Sequence, residues 1–215
     1  MNNQTTLHDT DSFEGELYRG YQVDTEECYL SSSMLATLFS SYQSTLKRIP
    51  HCYVFRFRLR VPNDQRYQAK TLINQWFYRL CYYRQHEKIN VIWKREVTGA
   101  GVVSYRFTMF FSVGSGVSVM TEQQTRKQLR KDIRRTWART MSVSRSEVHH
   151  LCIFLNQPLL ELNKTDGDYE YRHRWLFYVL SRQAKSGSSY ASETQNLIGS
   201  FISKSNQTNT RRKSK

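Results

Sequence analysis

Arginine recurs at every second residue in "YVFRFRLRV", residues 53–61, and once more as Arg106 inside the alternating stretch "VVSYRFTMFF", residues 102–111. If both stretches are strands, one side of the first carries Tyr53, Phe55, Phe57, Leu59 and Val61, and the other carries Val54, Arg56, Arg58 and Arg60. The second places Val103, Tyr105, Phe107, Met109 and Phe111 on the apolar side and Ser104, Arg106 and Thr108 on the other. Guanidinium is a planar fork that pairs bidentately with phosphate or carboxylate. Arginines gathered on adjacent strands repel one another and gain nothing from a core, so they make sense if an anion lies across the sheet. The alternative is a solvated sheet face helped by Glu96, which shares the outward side of "INVIWKREV" with Ile92 and Lys94.

A second set lies near the end of the chain. At helical spacing Tyr171, Arg174, Tyr178, Arg182 and Lys185 share one narrow face, while Leu176, Val179, Leu180 and Ala184 share another. Tyrosine mixed with arginine and lysine suits stacking on bases and neutralising phosphates; a stripe packed over a sheet edge is the competing reading. Lys127, Lys131, Arg135 and Arg139 form a further row at four-residue spacing, the usual pattern of a wet helix side. His149 and His150, read on a strand, point to opposite faces, and only His150 shares a face with Cys152, so these residues read as structural. Gly114-Ser115-Gly116 lacks the lysine and serine or threonine that complete a phosphate-binding P-loop.

The elements that position these residues follow from periodicity. "SSSMLATLFSSYQSTLKRI" predicts a helix with Met34, Leu35, Leu38, Phe39, Tyr42 and Leu46 in register, ended by Pro50. After the strand at 53–61, Leu72, Ile73, Trp76, Phe77, Leu80 and Cys81 mark an amphipathic helix between Tyr67 and Glu87. Strands at 89–97 and 102–112 flank the turn signal "TGAG" and form a hairpin. Thr121 with Gln124 is a capping box opening a helix to about Met141, "VHHLCIFL" (148–155) reads as a fourth strand, and a last helix spans about 169–185. The expected fold is α+β, a ferredoxin-like split βαββαβ antiparallel sheet with an N-terminal helix and an additional C-terminal helix. Both crossover helices then cover one sheet face, leaving the arginine face open or partly covered by the last element.

Charge is unevenly spread. The 215 residues carry a formal net charge of +14, yet residues 1–30 hold seven acids against one base. An acidic leader (1–30), expected to be poorly ordered or loosely docked, thus precedes a strongly basic domain (31–186) and a polar basic tail (187–215), expected to be flexible, in which "NLIGSFI" is able to dock as a short helix. A basic body with an acidic leader fits a polyanion binder whose leader competes for the basic surface. Four cysteines without a CxxC pair, no apolar run of membrane-span length and no signal-peptide layout point to a reducing, cytoplasmic setting with no membrane partner.

"YVFRFRLRVP", "INVIWKREV", "SYRFTMFF", "IRRTWART" and "RWLFYVLSRQAKS" occur in the order and spacing of the YagK/YfjJ-type prophage family, which is related to the rolling-circle replication initiators of filamentous phages (inoviruses). The resemblance covers residues 50–186. It implies a nicking endonuclease fold in which a tyrosine attacks DNA and two histidines bind a divalent metal, helped by a glutamate. Glu96 matches that glutamate as a vestigial ligand, but Ser104 and Arg106 stand where the histidines belong. In "SRQAK" the lysine is kept as Lys185, and Arg182 stands where the nucleophile belongs. The expected function is therefore a catalytically degenerate DNA-binding protein of a mobile element. It takes single-stranded rather than duplex DNA through Arg56, Arg58, Arg60, Lys94, Arg106, Arg174, Tyr178, Arg182 and Lys185, with no cofactor and with replication proteins as further partners. Three alternatives remain. The first is an active nickase using Tyr178, with Arg106 in place of the metal or with a divalent metal if nicking is retained. The second is an RNA-binding sheet module, disfavoured because Ser104, Arg106 and Thr108 stand where stacking aromatics belong. The third is a structural or partner-binding protein, favoured only if the acidic leader or another chain covers the basic face.

Overall fold

A long strand and the hairpin after it organise the molecule. In the computed structural model, which describes residues 11–26, 29–98, 100–112, 120–185 and 198–203, four two-residue strands come first: β1 (Ser12–Phe13), β2 (Leu17–Tyr18), β3 (Tyr21–Gln22) and β4 (Leu30–Ser31). Helix α1 (Ser32–Arg48), β5 (His51–Val61), α2 (Ala69–Tyr83), β6 (Ile89–Val97), β7 (Val103–Ser112) and α3 (Glu122–Met141) follow. The chain continues through α4 (Val148–Leu151), β8 (Cys152–Phe154), β9 (Leu160–Asn163), α5 (Tyr169–Ser181) and β10 (Ile198–Ile202). The architecture is mixed α and β, with antiparallel sheets.

The main sheet runs β10-β6-β7-β5-β8, all pairs antiparallel, with β9 also paired to β5. Its register sets Arg58 opposite Arg106, and Arg106 opposite Lys94. Strict alternation sorts the side chains as the sequence predicts. Phe55, Phe57, Leu59, Trp93, Tyr105 and Phe107 enter a core with Leu72, Ile73, Trp76, Leu80, Leu129, Ile133 and Trp137 of α2 and α3. Val54, Ile92 and Phe110 on the opposite face enter a second core with Leu38 and Tyr42 of α1 and Leu176, Phe177 and Leu180 of α5. Helices α1 and α5 cover only part of that face, and at its arginine end α5 forms one wall of a groove.

Local signals explain the elements that formed as expected. Ser31 caps α1 by accepting from the Met34 amide, and Thr121 and Gln124 close their capping box on α3. Other expectations are corrected. Residues 148–151 are a helical turn rather than strand, because Ser144 and Glu147 exchange side-chain-to-backbone bonds (2.8 and 3.2 Å) that start a turn, and only 152–154 pair with β5. His149 and His150 are exposed on that turn. The tail segment expected to dock as a helix forms β10, where Ile198 joins one core and Phe201 packs against the other, a period of two. The leader also contributes: β1 pairs with β4, β2 with β3, and Val23 is buried. Cys28 and the Gly114–Gly116 segment lie outside the described residues.

Gly199 permits β10 to close the sheet edge. It faces Trp93 on β6, and a Cβ built there would stand 2.4 Å from the indole Cζ2. Gly199→Val is expected to destabilise the protein by about 1–3 kcal/mol through overpacking, read as a lower midpoint in urea unfolding.

Candidate functional site

The uncovered part of the sheet face is a groove rather than a plane. A cavity of about 620 Å³ is lined by Arg56 and Arg58 from β5, Arg106 from β7, Ile153, Leu155 and Gln157 around β8, and Trp175, Tyr178, Val179 and Arg182 from the last helix and its end. Four guanidiniums thus converge from segments far apart in sequence, beside Trp175 and Tyr178.

Their neutralisation is incomplete. Glu96 lies 3.2 Å from Arg58 and 2.9 Å from Arg106, one oxygen to each. Arg182 pairs with Asp24 of the leader and sits over the Tyr178 ring, 5.9 Å from its centroid. Among the described residues Arg56 meets only the neutral Gln157 amide oxygen, at 3.4 Å. The Nε atoms of Arg56 and Arg106 are buried without a hydrogen-bond partner among the described residues. Burial lowers the Arg56 pKa, and repulsion from Arg106 and Arg182 lowers it further. Among the described residues the four guanidiniums meet two carboxylates, so an added anion would relieve repulsion and supply the missing acceptors.

Asp24 is the residue that sequence reasoning missed. It is 1% exposed, its amide donates to Ser181 Oγ at 2.8 Å, and its carboxylate pairs with Arg182 and lies 3.6 Å from Lys185 Nζ. Burial works to raise its pKa, but the Arg182 bond, the Lys185 charge and the Glu26 amide outweigh it and hold the carboxyl below the ordinary range. The Asp24 bond raises the Arg182 pKa against a smaller opposing effect of burial.

The nine expected binding residues therefore divide. Arg56, Arg58, Arg106, Tyr178 and Arg182 line the groove. Arg60 is exposed on the same side of β5, and Lys94 flanks Arg106 while its Nζ donates to the Lys185 carbonyl at 3.0 Å. Arg174 and Lys185 face the leader instead. Arg174 bonds Glu170 (2.7 Å) and the Gly20 carbonyl (3.0 Å) and lies over Tyr21, whereas Lys185 bonds the Glu26 carbonyl. Helical periodicity put Arg174 on the Tyr178 face but said nothing of the leader that captures it. Trp175, 47% exposed in the groove, was not singled out from the sequence; its signal was its three-residue spacing from Tyr178.

A divalent metal does not fit this groove as the resemblance would place it. Ser104 and Arg106 occupy the expected histidine positions, both Glu96 oxygens are engaged by guanidiniums, and among the described residues no three metal-ligating side chains converge. The thiols of buried Cys52 and Cys152 and of half-buried Cys81 are pushed up to about 12 by desolvation, which keeps them protonated at neutral pH. Among the described residues no helix is long and apolar enough to cross a membrane.

In comparisons with known proteins, the family model described as the YagK/YfjJ C-terminal domain matches residues 13–200. No curated protein and no solved structure matches the chain. The match begins inside the acidic leader and ends inside β10, so it spans the same segments that the structure brings into the fold.

Proposed function

The chain belongs to the YagK/YfjJ C-terminal domain family, a prophage-associated family, and on that premise we propose that it is a DNA-binding protein of a mobile element that holds single-stranded or melted DNA in the arginine groove. The strand order, with β7 and β5 central and β6 and β8 outside them, is read as the split ferredoxin-like arrangement of rolling-circle initiators, from which the protein derives. The observation that carries the reading is the convergence of Arg56, Arg58, Arg106 and Arg182 beside Trp175 and Tyr178. Guanidiniums neutralise a phosphate backbone without regard to sequence, and exposed aromatic faces stack unpaired bases. With Arg106 and Ser104 in place of metal ligands, the groove binds its DNA without cutting it.

Arg56 gives the direct test, since no carboxylate among the described residues pairs with it. Arg56→Gln is expected to weaken binding of an oligothymidylate roughly fivefold to tenfold and to flatten the salt dependence by about one in log–log slope. Fluorescence anisotropy over a salt titration reads both, and an unchanged affinity would remove the groove from the account.

One observation favours a second reading. Tyr178 stands in the groove beside Arg106 and Arg182, where an attacking hydroxyl would meet a phosphate held by guanidinium. A nickase of this kind leaves a covalent protein–DNA adduct that disappears in Tyr178→Phe, and denaturing gel electrophoresis of cleaved substrate distinguishes the two.

A further inference from the structure

A larger basic groove lies along the outer side of α3, away from the arginine groove of the sheet. It has a volume of about 880 Å³, and its lining includes Arg126, Arg130, Arg134, Lys127, Lys131 and Arg145. The row Arg126–Arg130–Arg134 is spaced four residues apart, so the three side chains rise along one helix face about 6 Å apart. Like charges at this spacing destabilise a helix. Sequence periodicity had pointed to the neighbouring row beginning at Lys127, whose members Arg135 and Arg139 lie over the Tyr83 ring.

The row is held in place with little neutralisation: among the described residues Glu122 pairs with Arg126, and no carboxylate pairs with Arg130 or Arg134. Arg130 and Arg134 lie over the Phe154 ring at 5.6 and 4.9 Å, and Arg130 Nη2 reaches the Leu155 carbonyl at 3.4 Å. The Nε atoms of all three arginines are buried and lack a hydrogen-bond partner among the described residues. Glu122 stands 4.0 Å from Arg126, while one of its oxygens also accepts from the Leu159 amide. Asp132, on the same helix, is taken by Arg84 and Gln128. Among the described residues no carboxylate lines the groove itself. Burial lowers the Arg130 pKa, and Arg126 and Arg134 lower it further.

The two grooves differ in a way that identifies their ligands. The sheet groove presents Trp175 and Tyr178 with its arginines, whereas the α3 groove is lined among the described residues by cations, neutral polar groups, Val148 and His149, with no Trp, Tyr or Phe ring in its lining. Single strands need platforms for their splayed bases. A double helix turns its bases inward and presents phosphates in a continuous row. We infer that the α3 groove is a second DNA site, which grips the phosphate backbone of double-stranded DNA through Arg126, Arg130 and Arg134 with Lys127, Lys131 and Arg145. It lies across the Leu155–Gln157 stretch from the sheet groove: Leu155 and Gln157 line the first site and Asn156 the second. This site rests on the reading above only in that both ligands are DNA.

The full chain is titrated with a blunt-ended duplex and, separately, with an oligothymidylate of equal length. Two variants are used. Arg130→Gln with Arg134→Gln removes the packed cations, and Lys127→Gln with Lys131→Gln alters only exposed side chains, which keeps folding intact. Each pair is expected to weaken duplex binding roughly tenfold and to flatten its salt slope by about one for each phosphate that is no longer neutralised, with oligothymidylate affinity unchanged. Duplex affinity unchanged in both variants overturns the site, as does an equal loss for both probes. Wild-type binding of a polyglutamate peptide as tight as that of the duplex would overturn it in favour of an acidic protein partner. A wild-type chain that binds duplex but not oligothymidylate would refute the sheet-groove reading while leaving the α3 site standing.

Discussion

Arg182→Gln is expected to cost about 3 kcal/mol of stability at neutral pH, and Asp24→Asn clearly less, although the two residues form one ion pair. The asymmetry comes from where each charge is left. Asp24 is 1% exposed, so losing Arg182 strands a buried carboxylate with the Lys185 charge at 3.6 Å and the Glu26 amide at 3.1 Å to answer it. Arg182 is 51% exposed and turns to water when Asp24 is neutralised. The pH dependence separates the variants further. The folded Asp24 pKa is depressed, so its contribution is present above the unfolded carboxylate value of about 3.9 and is lost as pH falls through the folded value. Asp24→Asn therefore lacks this part of the wild-type acid loss. In Arg182→Gln the Asp24 pKa climbs, and the deficit narrows as acid protonates the stranded carboxyl. Urea unfolding from neutral pH to about pH 3 reads both curves, and equal deficits at every pH would show that the pair does not act as described.

The same pair couples stability to binding. Under the proposed function Asp24 occupies a guanidinium that would otherwise meet phosphate. Asp24→Asn should then bind DNA more tightly than the wild type while being less stable. An interaction that merely holds the fold would move both quantities together.

Phe107→Ala is the second large effect, an expected loss of about 3–5 kcal/mol. Phe107 is fully buried, stacked on Phe57 at a centroid distance of 5.1 Å and set against Trp76 at 4.9 Å. It sits at the centre of the sheet, opposite Phe57 on β5 and Trp93 on β6, so no neighbour is free to collapse into the space. The residue before it is Arg106, whose position in the groove depends on β7 staying in register between β5 and β6. Phe107→Leu, which keeps most of the volume, should lose less than half as much. The urea midpoint checks both, and an alanine variant within about 1 kcal/mol of wild type would mean that the two-helix side of the sheet is not the dominant core.

Alternation made the sheet legible. A period of two in 53–61 and 102–111 forces one apolar and one arginine-bearing side, and sheet pleating leaves no other arrangement. The capping box at Thr121 and the helical stripes in α1 and α2 were equally visible, because each depends on residues within one or two turns. The turn at 148–151 carried its own signal in Ser144 and Glu147, a pattern outweighed by the apolar look of "VHHLCIFL". The edge strand β10 was obscured by brevity, since five residues fit a strand or a helical turn until Trp93 is known to lie opposite Gly199.

By itself, then, the sequence determined that arginines share one side of β5 and β7, that α2 and α3 bury the other side, and that the body is basic behind an acidic leader. Each of these follows from local periodicity or from composition. Only the tertiary structure decided which cations share a site. It joined Arg182 and Tyr178 to Arg56 and Arg106, and it turned Arg174 and Lys185 toward the leader. It buried Asp24 against Arg182, 158 residues away in sequence, and lined the groove of the Arg126–Arg130–Arg134 row with cations and, among the described residues, no carboxylate. The physical reason is that an ion pair depends on distance in space and on local desolvation, and no spacing along the chain encodes either.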